Sequence, residues 1–234
     1  MNIPKRSVLD AELEHLTANL LKMASLVDSA IEKSMRSLEN RDLALADEVI
    51  LADGEINATR YLIEETSLRV LATQHPLAID LRRVIASIHL AVELERMGDH
   101  ASGISRIVKR MASEDEIISL FKLPKMAKRA RKMLHEGMEA YINQDVELAQ
   151  KMVKRDEKMD RQYQSFFRET LVSMEDDAYV RRATFLLWVS HNLERIGDRA
   201  TNIAERVVFM VTGQFVESYD DLDGSLYITS DEVE

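Results

Sequence analysis

Side chains that carry oxygen recur four residues apart on several predicted helices of this 234-residue sequence. Residues four apart on an α-helix lie on one face, with Cβ atoms about 6 Å apart, and like charges at this spacing weaken the helix. A hard divalent or trivalent cation bound between them would compensate, and Mg²⁺, Mn²⁺ or iron suits oxygen ligands better than Zn²⁺ does. The pairs are Asp53 with Asn57, Glu95 with Asp99, Asp156 with Asp160, and Glu194 with Asp198.

Two of these pairs lie in a duplicated segment that contains a glycine. Residues 94–101 read Leu-Glu-Arg-Met-Gly-Asp-His-Ala, and residues 193–200 read Leu-Glu-Arg-Ile-Gly-Asp-Arg-Ala. Gly98 and Gly197 each cost about 1 kcal/mol relative to alanine inside a helix. Because both copies keep this cost, we expect each glycine to let a neighbouring helix or an ion approach the backbone closely.

The duplication extends over most of the chain. Asn40, Asp42 and Asp53 recur 103 residues later, and Arg82, Glu95 and Asp99 recur 99 residues later. The offsets differ by four residues, which is about one helical turn, and the difference is most simply absorbed around His75-Pro76. The sequence is therefore expected to contain two copies of one structural unit.

The unit itself is predicted to be a three-helix bundle. With 7 Gly, 3 Pro and 6% aromatic residues, the composition favours long helices over a sheet. Apolar residues at alternating three- and four-residue spacings indicate helices packed in bundles. The expected helices cover residues 8–39, 42–73, 77–111, 124–142, 145–174 and 178–213. The fold class is thus all-α, with two tandem bundles in residues 1–112 and 124–213, a linker at 113–123 and an acidic, disordered tail at 214–234.

Composition and charge narrow the function classes. The chain has no cysteine, which excludes disulfides and thiolate metal sites. Its N-terminus lacks the apolar core of a signal peptide, and no apolar run reaches the roughly 18–20 residues that span a bilayer. The tail contributes −7 of the net charge of −10, and a nearly balanced body argues against nucleic acid as a partner. We expect a cytoplasmic protein without direct membrane insertion.

Several alternatives remain open at this stage. The acidic pairs could be solvated surface residues that Arg96 and Arg195 neutralise. A ferritin-like di-iron centre needs two Glu-x-x-His pairs, whereas the sequence has one, formed by Glu12 and His15. Core or boundary packing is the expected role of His89 and His191, and Trp188 and the twelve methionines are expected to fill the core.

Two basic features also call for partners. Lysines and arginines cluster at the start of the fourth helix, and arginine pairs open the third and sixth helices. Cations near a helix N-terminus oppose the helix dipole, so an internal or external partner is required, and internal salt bridges are favoured. The residues are Lys122, Lys125, Lys128, Arg129 and Lys132, with the pairs Arg82-Arg83 and Arg181-Arg182.

Taken together, the doubled Leu-Glu-Arg-Ile/Met-Gly-Asp segments, the Asn-x-Asp turns and the Asp-x-x-x-Asn/Asp pairs resemble the PhoU family over residues 8–213. The resemblance implies a pair of three-helix bundles, often a homodimer, that binds clusters of metal ions. It also implies a non-enzymatic adaptor between the ATPase subunit of the phosphate ABC transporter and the phosphate sensor histidine kinase. Such an adaptor negatively regulates phosphate uptake and the phosphate-starvation response when phosphate is plentiful.

The family's motifs assign the candidate metal ligands to two sites. Asn57 stands where its counterpart is Asp160, which removes one charge from the first site, and Gly103 stands where its counterpart is Asn202. We therefore expect the two sites to differ in affinity. A carboxylate-bridged metalloenzyme and a metal-free helical scaffold remain the alternative functions. The sites are Asp53, Asn57, Glu95 and Asp99 in the first unit, and Asp156, Asp160, Glu194 and Asp198 in the second.

Overall fold

The computed structural model describes residues 4–114, 120, 122–153, 156–174 and 177–215. The side chains of residues 4–7, 156, 173, 177 and 178 are not described, so Asp156, most of the predicted linker and the acidic tail beyond residue 215 lie outside the description. The described residues form helices and no strand. The helices are α1 (Pro4–Asn40), α2 (Leu43–Gln74), α3 (Ile79–Arg110), α4 (Leu123–Asn143), α5 (Val146–Val153), α6 (Asp156–Ser173) and α7 (Asp177–Thr212).

The Asn-x-Asp turns cap the second helix of both units, as the sequence predicts. Asp42 Oδ1 accepts a hydrogen bond at 2.9 Å from the backbone amide three residues later, and Asp145 Oδ1 does the same at 2.9 Å. The residues before the caps, Arg41 and Gln144, have left-handed φ values of 52° and 54°. Each turn thus ends one helix and starts the next with a satisfied first-turn amide.

The first bundle consists of α1, α2 and α3 around an apolar core. The predicted stripe on α1 is buried from Leu13 to Ala30. On α2 the apolar spacing predicts a stripe through Leu45, Val49, Ala52, Ile56 and Ile63. This prediction is partly wrong, because Ala52 is exposed and Leu45 is half-buried, whereas Ala46 is fully buried. The core stripe of α2 consists of Ala46, Val49, Ile56, Ile63 and Val70.

The second bundle consists of α4, the α5–α6 segment and α7. Residues 154–155, between α5 and α6, are not described, so the predicted helix over 145–174 is seen as two pieces. α6 ends at Ser173, 99 residues after the end of α2 at Gln74, although the candidate ligands on these helices are 103 apart. The four-residue difference therefore shortens the end of the second helix by one turn, rather than lying in the His75-Pro76 turn. α3 begins at Ile79, two residues later than predicted.

Polar contacts between α3 and α7 join the bundles with approximate two-fold symmetry. Asn202 donates a hydrogen bond to Glu93 at 3.1 Å, and the Arg199 guanidinium lies 3.5 Å from the same carboxylate. In the mirrored position, His100 Nδ1 lies 3.0 Å from Asn192 Oδ1. The departure at position 103 is explained here, because a Cβ on Gly103 would lie 3.0 Å from that Asn192 oxygen.

The same symmetry relates α1 and α4. Arg131 donates two hydrogen bonds of 2.8 Å to Asp28, and these two residues are separated by 103, the repeat offset. His135 Nε2 lies 3.0 Å from Asp28, and Glu32 lies 2.9 Å from Arg131. Partial burial acts to raise the pKa of Asp28, but the hydrogen bonds and charges of Arg131 and His135 outweigh it and hold that pKa below its usual range.

The first arginine of each predicted pair finds its partner in the other bundle. Arg82 donates hydrogen bonds to the carbonyl oxygens of Met210 at 2.9 Å and Val211 at 3.4 Å, in the last turn of α7. Arg181 lies 2.8 Å from Glu114, just beyond the end of α3. Internal partners are thus confirmed for these two arginines.

Candidate metal centres

The second bundle brings three carboxylates to one point on its surface. Asp160 on α6 and Glu194 and Asp198 on α7 each offer one oxygen, and these oxygens lie within 4.8 Å of one another. Among the described residues, no other set of three His, Cys, Asp or Glu side chains converges so closely. Glu194 and Asp198 keep only 16% and 26% of their side-chain area exposed. The part that Asp156 plays stays a prediction, since its side chain is not described.

Arginines accompany this triad, as the surface interpretation allowed. Arg195 donates a hydrogen bond to Asp198 at 3.0 Å and lies 3.6 Å from Glu194. Burial nevertheless raises the pKa of Asp198, and the charges of Arg195 and Arg199 only oppose that rise. The triad is therefore a partly desolvated site, in which burial favours the neutral form of Asp198 and the arginines favour its charged form.

A histidine beside the triad was missed in the sequence. His191 Nδ1 lies 3.5 Å from Glu194 Oε2, and the imidazole is 49% exposed. The expectation of core or boundary packing for His191 and His89 is wrong, since both are exposed, and Trp188 is also 46% exposed. The available signal was spacing, because a residue three positions before Glu194 lies on the same helix face.

The first bundle places its four predicted ligands on the facing helices α2 and α3. Asn57 donates a hydrogen bond of 3.4 Å to Asp53 Oδ2, whereas Asp53 Oδ1 is buried without a hydrogen-bond partner. Burial raises the pKa of Asp53, the carboxylates of Asp99 and Glu95 raise it further, and Arg106 opposes them. These three carboxylates are thus close enough to repel one another, although they converge less closely than the triad of the second bundle.

Arg60 is the residue that distinguishes the first site. Its Nη1 donates a hydrogen bond to Glu95 Oε1 at 3.1 Å, and its Nε pairs with Glu64 at 2.9 Å. At the position 103 residues later the chain has Tyr163, which carries no charge. Arg60 therefore holds Glu95 in the first site, whereas no charge stands at its counterpart position in the second site, where Arg195 contacts Asp198 instead.

Gly98 permits the close approach of the two helices at this site. A Cβ on Gly98 would lie 2.9 Å from Ile56 Cδ1, 3.3 Å from Ile56 Cγ2 and 3.6 Å from Asp53 Oδ1. Contacts below 3.0 Å are essentially absent from packed proteins, so even alanine would displace Ile56. This agrees with the expected role of the glycine in the duplicated segment.

The donor set fits a hard cation. All predicted ligands with described side chains offer carboxylate or carboxamide oxygens, which Mg²⁺, Mn²⁺ and iron accept. The orphaned Asp53 oxygen adds a second argument, because a buried polar atom without a partner costs about 1–3 kcal/mol. A bound cation would satisfy that oxygen and offset the repulsion among the carboxylates.

Comparison with known proteins identifies the family. The model of the PhoU domain matches the chain twice, over residues 20–108 and 123–207. The chain belongs to the PhoU family. A phosphate-specific transport system accessory protein PhoU homolog from Clostridium acetobutylicum is 33% identical over 92% of this chain and 99% of its own length. The homolog from Rhizobium meliloti is 36% identical over 96% and 97%.

Solved PhoU structures share the fold. PhoU from Pseudomonas aeruginosa matches with a TM-score of 0.83 at 34% identity, covering 87% of this chain and 99% of that one. The phosphate transport system regulatory protein PhoU from Streptococcus pneumoniae matches with 0.84 at 32% identity, covering 89% and 99%. The predicted all-α fold with two repeated bundles is thus confirmed. Within the described helices, none is long and apolar enough to cross a membrane.

Proposed function

We propose that this PhoU-family chain is a non-catalytic, metal-binding adaptor that negatively regulates phosphate uptake and the phosphate-starvation response. The names of the relatives support a role in the regulation of phosphate transport. The observation that carries the metal-binding part is the convergence of three carboxylate oxygens within 4.8 Å at the second site.

The proposed ligands act by fixing the geometry between helices. Asp160 comes from one helix and Glu194 and Asp198 from another, so these three side chains would tie α6 to α7 by holding one cation. The corresponding side chains of the first site tie α2 to α3. A hard cation supplies positive charge and oxygen coordination there. Carboxylates that otherwise repel one another would then favour the packed helices.

The proposed partners are the ATPase subunit of the phosphate ABC transporter and the phosphate sensor histidine kinase. Contact with both requires a cytoplasmic location, and we propose that the chain works there as a homodimer. The absence of a spanning helix in the described residues agrees with reaching the membrane through partners. Sedimentation velocity between 1 and 50 µM tests the dimer, and a monomer at every concentration contradicts it.

Metal analysis of the purified protein tests the metal-binding part. Protein purified without chelator is loaded with Mn²⁺ or Fe²⁺, desalted and analysed for its metal content. The double variant Glu194→Gln, Asp198→Asn should lose the metal of the second site and retain that of the first. A control with Glu14→Gln and Glu65→Gln, both exposed and outside the sites, should bind as the wild type does. Equal metal content in all three proteins contradicts the site.

Gene deletion tests the regulatory part. Deletion in the host should raise alkaline phosphatase expression and phosphate uptake at high phosphate, and the wild-type gene should restore repression. Unchanged expression and uptake contradict the proposal. Complementation by the double variant then shows whether regulation needs the second metal site.

The two alternatives make different predictions. A carboxylate-bridged metalloenzyme should show oxygen-dependent turnover or a redox-active cluster after loading with iron, whereas an adaptor should not. A metal-free scaffold should bind no metal that depends on Glu95 or Glu194. The buried, unpartnered oxygen of Asp53 favours the metal-binding adaptor over the scaffold.

A further inference from the structure

A groove between α4 and α6 is lined mostly by lysines and arginines. It consists of two adjoining cavities of about 400 and 360 Å³ that share Lys125, Arg129 and Lys158 in their walls. Among the described side chains that line them, Glu136 is the one acidic residue. The basic residues of this α4–α6 groove are Lys122, Lys125, Lys128, Arg129, Lys132, Lys158 and Arg161.

The positive charges at the centre of the groove lack acidic partners among the described side chains. Lys125, Lys128, Arg129 and Lys158 form no ion pair with any side chain that the structure describes. Pairing is found only towards the ends and the rim, as in the 3.8 Å contact between Lys132 and Glu136. Four like charges in one groove repel one another, and the cost of this repulsion persists in the absence of a ligand.

The first bundle has a salt bridge at the positions that correspond to two of these lysines. Lys22 on α1 and Glu55 on α2 form a salt bridge of 2.9 Å. Their counterparts 103 residues later are Lys125 and Lys158, both lysines. An ion pair in one repeat thus corresponds to a like-charged pair in the other.

Other positions of the groove also carry more positive charge than their counterparts in the first bundle. Where the groove has Lys128, Lys132 and Arg161, the first bundle has neutral residues at the positions 103 earlier. The neutral counterparts are Ser25, Ser29 and Ala58. The positive charge is therefore a property of the second bundle alone, in a chain whose net charge is −10. A cationic groove on an acidic protein indicates an anionic ligand.

The shape of the groove selects among anions. Cations recur about once per turn of α4 from Lys122 to Lys132, a length of about 15 Å. A single phosphate would contact only a part of such a groove, whereas an extended peptide places carboxylates on one side about every 7 Å. A short extended peptide with about three carboxylates on one side matches both the length and the charge.

We propose that the α4–α6 groove docks an acidic peptide segment of a partner protein. The long lysine side chains place positive charge at the outer surface of the groove. Arg129, which is half-buried between them, can hold one carboxylate through two parallel hydrogen bonds. The proposal does not depend on the metal centres, which lie on other helix faces. A negative result for peptide binding therefore does not contradict the metal centres, and a negative result for metal binding does not contradict the groove.

Fluorescence anisotropy with a labelled octapeptide of alternating glutamate and serine tests the groove. The full-length protein should bind this probe at 50 mM salt, more weakly at 300 mM, and should not bind the same peptide with glutamine in place of glutamate. Lys158→Glu should weaken binding at least tenfold. Because this variant copies the Lys22–Glu55 pair of the first bundle, it should keep the helical circular dichroism and melt no lower than the wild type.

Control variants distinguish binding in the groove from a general effect of the protein's charge. Lys151→Glu makes the same charge change on α5, outside the groove, and should leave affinity within twofold. Arg129→Gln gives a second test should Lys158→Glu fail to fold. Unchanged peptide binding in the folded groove variants overturns the proposal. The proposal is also overturned if tripolyphosphate, or vesicles that contain phosphatidylglycerol, bind more tightly than the peptide and lose this binding in Lys158→Glu.

Discussion

Replacement of Gly98 by alanine tests whether close helix packing at the first site requires a glycine. Alanine gains about 1 kcal/mol in helix propensity. Its Cβ would meet Ile56 Cδ1 at 2.9 Å, against the 3.5–4.0 Å of an ordinary carbon contact, and Ile56 is only 2% exposed. Overpacking of this kind costs about 1–3 kcal/mol, so Gly98→Ala should lower the free energy of unfolding by about 0–2 kcal/mol.

A double-mutant cycle separates the two contributions. Ile56→Val removes Cδ1, the atom that the new methyl group meets first. In the wild type this change should cost about 0.5–1.5 kcal/mol, whereas in the Gly98→Ala background it should cost little or stabilise the protein. The expected coupling energy is about 1–2 kcal/mol, measured by urea denaturation followed by circular dichroism.

Gly54 provides the matched control. It also lies within a helix, but a Cβ there would meet nothing within 4 Å. Gly54→Ala should therefore raise the free energy of unfolding by up to about 1 kcal/mol and should not couple to Ile56→Val. Additivity of Gly98→Ala and Ile56→Val within about 0.5 kcal/mol would refute the steric argument.

Contacts between the bundles give three further predictions. Asp28→Asn should cost about 1–2 kcal/mol at pH 7 in urea titrations. Since the folded-state pKa of Asp28 lies below the reference of 3.8, its stabilisation is present above pH 3.8, and the difference should shrink as the pH falls through the folded value. Arg82→Gln should cost about 1–2 kcal/mol and increase hydrogen exchange in the last turn of α7, where its two hydrogen bonds end. Gly103→Ala should fail to gain the about 1 kcal/mol of helix propensity, and should shift the ring resonances of His100, because its methyl group displaces the oxygen of Asn192.

The sequence was sufficient where structure depends on local or periodic signals. The caps at Asp42 and Asp145 were predictable because a side-chain oxygen three residues before an amide is a local arrangement. The buried stripe of α1 follows from the period of the helix. The repeat and the fold class followed from residue offsets, without knowledge of any contact between helices.

Local and periodic signals do not predict which residues of different helices contact one another. The hydrogen bond of Arg60 to Glu95 joins residues 35 apart, and nothing in the spacing of α2 indicates which turn of α3 it faces. Residue type predicts Trp188 in the core, and the mid-helix position of His191 predicts the core or its boundary. However, α7 contacts α3, α4, α5 and α6, and its remaining exposed face is set by that arrangement. Hydrophobic type alone does not fix burial in a helix with so many neighbours.

Divergence between the repeats follows from the symmetry that relates them. An approximate two-fold axis brings equivalent positions together, so identical repeats would place an aspartate opposite Asp28 and a second repulsive pair beside it. The second repeat instead has Arg131 and His135, and the contact becomes an ion-pair network. The candidate metal ligands instead pair α2 with α3 and α6 with α7, within each bundle, so the contact between α1 and α4 places no such constraint on them. Their recurrence in both bundles is what the proposed cation binding would explain.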